Sequence, residues 1–209
     1  MTRTTPRRDP AARPDPTSGR IVPPVELPYP DPDLRDGVVR LRRWRLTDID
    51  CIRGGATDPR IPQGTTVPSE VTTDAGHAFI RRQWSRAEHG QGLSLAVADA
   101  RTDTACGLIV LLHRPQPGVV GLGYWTVPST RDRGMATHAV RLVSAWALRE
   151  AGCARVEAWV EPCNAASLRV LTRAGFVREG VLRSFLHVGG RRSDAVVYSR
   201  VADDLRGGP

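Results

Sequence analysis

The 209-residue sequence predicts a single α+β domain with a mixed sheet. Two observations carry that reading. Segments with strand-like two-residue alternation are interleaved with segments of three-and-four helical rhythm, in the order β-α-α-β-β-β-α-β-α-β-β. Hydrophobic residues make up 40% of the chain, enough for one core, and no internal repeat divides it.

Residues 1–35 hold nine of the seventeen prolines and predict a disordered or polyproline-like arm. Six arginines there nearly cancel five carboxylates, so a basic tether is not indicated. The domain is expected over 36–202, with a flexible tail at 203–209. GVVRLRRW (37–44) alternates as a half-buried strand does, and Thr47 is expected to cap the helix LTDIDCIRG. A Gly/Pro/Thr-rich loop, ATDPRIPQGTTVPS, leads to the helix TTDAGHAFIRRQWSRAEHG. LSLAVAD and ACGLIVLLH, joined by ARTDT, form a predicted hairpin, and VVGLGYWTV is the fourth strand. The next helix has apolar residues at 136, 139, 140, 143, 146 and 147, one buried face, and ends at Gly152. RVEAWVE is the fifth strand. A helix over 164–174 closes at Gly175, and FVREGVLRSFLHV and DAVVYSRV make a final hairpin through GGRR.

Composition narrows the chemistry. All thirty basic residues are arginine, which excludes a P-loop lysine, a Schiff-base lysine and a lysine general base. The formal charge of +8 favours anionic partners, but the arginines are dispersed, which argues against a dedicated nucleic-acid binder. The four cysteines show no CxxC spacing and read as small buried apolar residues; the five histidines form no pair, and no metal site is expected. No run of about 18 apolar residues and no signal h-region are visible, so no membrane association and a cytoplasmic location are expected.

The stretch TVPSTRDRGMATHA (126–139) places two arginines and a glycine between a strand end and a helix start. Amides in a helix's first turn lack internal partners and carry the positive end of its dipole. Gly134 lets an anion approach closely, with small Ala136 beneath, and Arg131 and Arg133 can add charge-assisted bonds. The residues alone suit a diphosphate cradle and an ordinary turn with solvated arginines equally well.

Arg131 to Ala136, RDRGMA, resembles the Q/R-x-x-G-x-G/A signature of the GNAT acyltransferase superfamily. LRRWRLTDID (41–50), NAASLRVLTRAGFVREGVLR (164–183) and SDAVVYSR (193–200) resemble, in order, the first strand and helix, the N-x-x-S…GF-x-x-E-G segment and the last strand of its RimJ/RimL-like branch. The resemblance covers about residues 37–202. Two positions depart from the pattern: Asp132 stands where glycine is frequent, and Leu171 stands where many members carry a tyrosine that protonates the leaving thiolate.

The resemblance implies a mixed, mostly antiparallel sheet splayed between the fourth and fifth strands, with helices on both faces. It implies acetyl-CoA as cosubstrate. Trp125, Thr126 and Val127 would bond the pantetheine, and Arg131, Asp132, Arg133, Gly134, Met135 and Ala136 would hold the diphosphate. Asn164 and Ser167 would sit near its reactive end. Each also has a structural reading: Asn164 suits a helix cap, Ser167 a first helical turn, and Trp125 and Trp159 the core. The implied reaction is direct attack of a primary amine on the thioester. Ser167 is the candidate hydrogen-bond donor to sulfur; Glu157 and His187 are candidate bases, each equally readable as a surface residue. An α-amine, roughly a tenth neutral at pH 7, needs less help than a lysine amine at well below a thousandth. A site without a strong base therefore suits an α-amine or another weakly basic amine; the resemblance implies a protein N-terminus as the leading acceptor, and a small-molecule amine or antibiotic is the next. Two other classes remain: a CoA-binding module without catalysis, and a basic protein engaging RNA or ribosomes. Family members often pair, so a homodimer is also implied.

Overall fold

The computed structural model describes residues 25–205. Its strands are β1 (Leu34–Arg35), β2 (Val39–Arg42), β3 (Gly92–Asp99), β4 (Ala105–His113), β5 (Val119–Thr126), β6 (Arg155–Val160), β7 (Val177–Val188) and β8 (Arg191–Val201). Its helices are α1 (Ile49–Ala56), α2 (Arg60–Gly64), α3 (Thr73–Glu88), α4 (Met135–Arg149) and α5 (Ala165–Arg173). The strands form one sheet in the order β1-β2-β3-β4-β5-β6-β8-β7. Every neighbouring pair is antiparallel except β5 and β6, whose parallel pairing requires a crossover, and α4 supplies it. Trp125 of β5 packs toward Gly55 of α1, while the adjacent Tyr124 reaches Ser167 of α5. Successive strand residues point to opposite faces, so α1 and α5 cover opposite sides of the sheet.

The seven predicted strands are present, with β1 as an unforeseen eighth. β1 lies inside the arm expected to be disordered, and this corrects its boundary. Leu27 is buried, Tyr29 lies under the Arg43 guanidinium at 5.2 Å, and Asp33 pairs with Arg40 at 2.6 Å. The apolar residues between the prolines find partners on the domain that no local pattern shows. The expectation for residues 1–24 lies outside the described residues. At the other end, 202–205 form a short 3-10 turn with Leu205 against the core, and 206–209 again lie outside.

The start of α1 also differs. Thr47 does not cap it. A 3-10 turn, Leu46–Asp48, comes first, and the Asp48 carboxylate accepts the Arg45 amide at 2.8 Å. Asp48 takes this place because Arg42, buried within β2, needs a counter-charge: its guanidinium donates to both Asp48 oxygens at 2.9 Å and to Asp103 at 2.9 Å. The predicted loop at 56–69 contains α2. Thr72 caps α3 by accepting the Ala75 amide. On α4, Ala139, Val140, Val143, Trp146 and Ala147 are buried as the apolar rhythm predicts, joined by Met135. Three cysteines are buried, but Cys163 is exposed, since it occupies the loop before α5. Among the described residues no helix is long and apolar enough to cross a membrane.

Glu179 links three strands. Its carboxylate accepts Arg155 of β6 at 2.7 Å and Ser199 of β8 at 2.7 Å. The Arg155 bonds hold its pKa down at about 2, against burial and with help from Ser199. A depressed folded pKa stabilises fully above the ordinary value of 4.5 and loses that contribution as pH falls toward 2. Glu179→Gln is therefore expected to flatten the loss of urea stability between pH 5 and pH 2. An unchanged slope would show that this group does not govern acid stability.

Candidate active site

β5 and β6 pair only at Val119↔Arg155, Val120↔Val156 and Gly121↔Glu157. Beyond Gly121 they part, although β5 continues to Thr126 and β6 to Val160. The Val127 amide donates to Cys106 O at 2.8 Å, and Trp125 lies opposite Leu108. The backbone groups of Trp125 and Val127 therefore face β4. Alternation turns those of Tyr124 and Thr126 into the gap. Of the residues expected to bond pantetheine, Trp125, Thr126 and Val127, only Thr126 turns its backbone groups into the gap, and Tyr124 does so as well. The alternating hydrogen-bond pattern of a strand pair was the signal available for this. The Trp125 ring is buried against Gly55, where a Cβ would come within 2.9 Å, and its buried indole N–H has no partner among the described residues.

At the end of β5 the chain makes a 3-10 turn, Pro128–Thr130, and enters α4 through two left-handed residues, Asp132 (φ 61°) and Gly134 (φ 77°). That conformation explains why glycine is frequent at position 132, and aspartate is among the few side chains that tolerate it. Met135 is buried, Ala136 is half-buried, and the Asp132–Gly134 segment is exposed. The opening amides of α4 have no carbonyl one turn earlier, so this rim is a positively polarised concavity. Arg133 extends from it, 56% exposed, with Asp99 3.8 Å away. Arg131 turns back instead, bonding Asp58 at 2.7 Å in the segment between α1 and α2. Arg60 first, and then Arg131, hold the Asp58 carboxyl well below the usual carboxylate range.

The α5 side of the gap gathers three polar side chains. Asn164 caps α5, its Oδ1 accepting the Ser167 amide at 3.1 Å. The Ser167 hydroxyl lies 2.7 Å from the Tyr124 hydroxyl, which also reaches Ser167 O at 3.2 Å. Burial pushes the Tyr124 phenol up to about 12, opposed by its bond to Ser167. Leu171, one turn further along α5, is fully buried in the core.

Glu157 lies on the opposite face, opposite Gly121, whose missing Cβ leaves room for Arg114. Its Oε1 accepts Arg114 at 3.0 Å and its Oε2 accepts Arg155 at 3.3 Å, so both oxygens are committed. The Arg114 guanidinium also stacks 3.6 Å over Trp159, which meets Phe185 edge-on. His187 is exposed on the β7–β8 hairpin, opposite Arg192. Nearby Gly189 faces Gln63 of α2, so this hairpin and the α1–α2 segment approach each other across the parted strands.

This geometry has counterparts. Residues 39–177 match the family described as an acetyltransferase (GNAT) domain. A probable N-acetyltransferase of Bacillus subtilis, YjcK, is 30% identical over 135 residues, 64% of this chain and 75% of that protein. The putative ribosomal N-acetyltransferase YdaF of the same organism is 32% identical over 103 residues, 49% of this chain and 56% of that one. Among solved structures, Mycobacterium smegmatis RimJ in complex with CoA-disulfide superposes with a TM-score of 0.71 at 24% identity, covering 81% of this chain and 84% of that one.

The Asp58–Arg131 bridge ties the α1–α2 segment to the turn that leads into α4. Asp58→Asn is expected to raise deuterium uptake several-fold over residues 57–64 while leaving α3 unchanged, as measured by hydrogen exchange. Equal uptake in both proteins would show that the bridge does not hold the segment.

Proposed function

This chain belongs to the GNAT family of acetyl-CoA-dependent N-acetyltransferases, and from that premise we propose that its acceptor is the α-amine of a protein N-terminus. One observation supports the donor site above all: an unpaired β5 edge in the parted sheet runs directly into the left-handed turn that opens α4. Inward-facing amides at Tyr124 and Thr126 suit the pantetheine amides, and one of them suits the thioester oxygen as a hydrogen-bond donor. The Asp132–Ala136 backbone and Arg133 suit the diphosphate. Arg131, engaged by Asp58, shapes the turn rather than adding a free charge.

Acetyl-CoA supplies the activated acetyl group, and the chain's own groups determine which amine can attack it. Three carboxylates around the gap are held by arginine: Glu157 by Arg114 and Arg155, Glu161 by Arg191, and Asp58 by Arg60 and Arg131. Glu157, with both oxygens occupied by guanidinium donors, offers no unengaged oxygen to an incoming amine. The amine must attack in its neutral form, which at pH 7 is roughly a tenth of an α-amine with pKa near 7.7–8.0 and well below a thousandth of a lysine amine. The relative named as a putative ribosomal N-acetyltransferase supports a protein acceptor.

Thiol release from acetyl-CoA is the direct test, run with N-terminal peptides, Nα-blocked lysine peptides, polyamines and amine antibiotics. Free α-amine peptides are expected to exceed blocked ones by at least about ten-fold in kcat/KM. A small amine or a blocked lysine peptide as the best substrate would overturn the acceptor. Gly134→Glu, which puts a carboxylate and a strained backbone at the turn, is expected to weaken acetyl-CoA binding at least about ten-fold by calorimetry. Undiminished affinity would remove the turn from the donor site.

A further inference from the structure

We propose that Tyr124 is a positioning residue for this reaction: its phenol orients the Ser167 hydroxyl so that Ser167 donates a hydrogen bond to the departing CoA sulfur. The inference rests on the acetyltransferase reading above and concerns the leaving-group side, where Leu171 provides no donor.

The geometry is a one-proton choice. Tyr124 has a single O–H, yet two oxygens of Ser167 lie within its reach, the hydroxyl at 2.7 Å and the carbonyl at 3.2 Å. When it donates to the carbonyl, it accepts from the Ser167 hydroxyl, and both groups are satisfied inside the fold. When it donates to the hydroxyl, the serine proton is released to point elsewhere. Tyr124 sits on β5 in the stretch that no longer pairs with β6, and Ser167 lies in the first turn of α5, the helix that follows β6. Asn164 fixes the Ser167 backbone at 3.1 Å, leaving rotation of the hydroxyl as the remaining freedom. A phenol reaching from the strand thus stands in for one that α5 lacks, since position 171 is a leucine sunk in the core. The phenol stays protonated across the working pH range, because burial raises its pKa.

In the step this serves, the amine nitrogen bonds to the thioester carbon and the C–S bond breaks with its electron pair on sulfur. The surplus proton on nitrogen passes to water, and the thiolate takes its proton from water. Ser167 lends a hydrogen bond to the sulfur without losing its proton.

Steady-state kinetics of Tyr124→Phe, Ser167→Ala and the double variant test this. Each single variant is expected to lower kcat about ten-fold while KM for acetyl-CoA stays within about two-fold. The double variant should be no slower than Ser167→Ala, because Tyr124 acts only through Ser167. Multiplied losses would show an independent, structural role and overturn the proposal. Wild-type kcat in Tyr124→Phe would overturn it too. Should Tyr124→Phe fail to fold, wild-type kcat in Ser167→Ala overturns it by itself, and a ten-fold kcat loss at constant KM supports it. No turnover of any amine by the unaltered chain would instead bring down the acetyltransferase reading, and this inference with it.

Discussion

The end of the β5–β6 pairing at Gly121↔Glu157 is the constraint on which the site depends. Three contacts hold β5 away from closing that gap. Its odd-numbered backbone groups are bonded to β4, the Trp125 ring is seated on Gly55, and the Tyr124 hydroxyl is tied to α5. What is left is a strand edge with inward-facing amides, buried in the middle of a sheet. An edge of this kind is ordinarily a liability at a sheet's rim. Here it is enclosed on both sides and leads into the polarised start of α4.

Arginine does the joining throughout the domain. Arg42 ties β2 to the start of α1 and to the β3–β4 turn; Arg155 ties β6 to β7; Arg131 ties the end of β5 to the α1–α2 segment. The planar fork engages two acceptors at once and stays charged when buried, which suits these roles better than lysine would. The same pairing has a chemical consequence. Glu157, Glu161 and Asp58 near the gap are engaged by guanidiniums, whereas the neutral Tyr124 and Ser167 hydroxyls are bonded to each other.

Much of this was legible in the sequence. Period-two and period-3.6 patterns marked the helices other than α2 and seven of the strands, because those rhythms report which side of an element is buried. The RDRGMA turn was legible because a left-handed residue at a helix start calls for glycine or a substitute such as aspartate. Asn164 was read correctly as a cap. Local rules failed at Thr47, where the buried Arg42 drew Asp48 into the controlling position, and at β1, where partners distant in sequence order a proline-rich stretch.

By itself, then, the sequence determined the order of all elements but β1 and α2, the family and the turn that opens α4, since each rests on neighbours a few residues apart. Only the tertiary structure decided which backbone amides face the gap, that Glu157 is held between two arginines, that Arg131 turns to Asp58, and that Tyr124 meets Ser167. The reason is physical: these are contacts between strands, helices and loops brought together by burial of a common core, 43 residues apart for both Arg114–Glu157 and Tyr124–Ser167. No periodicity along the chain encodes which two such groups will meet.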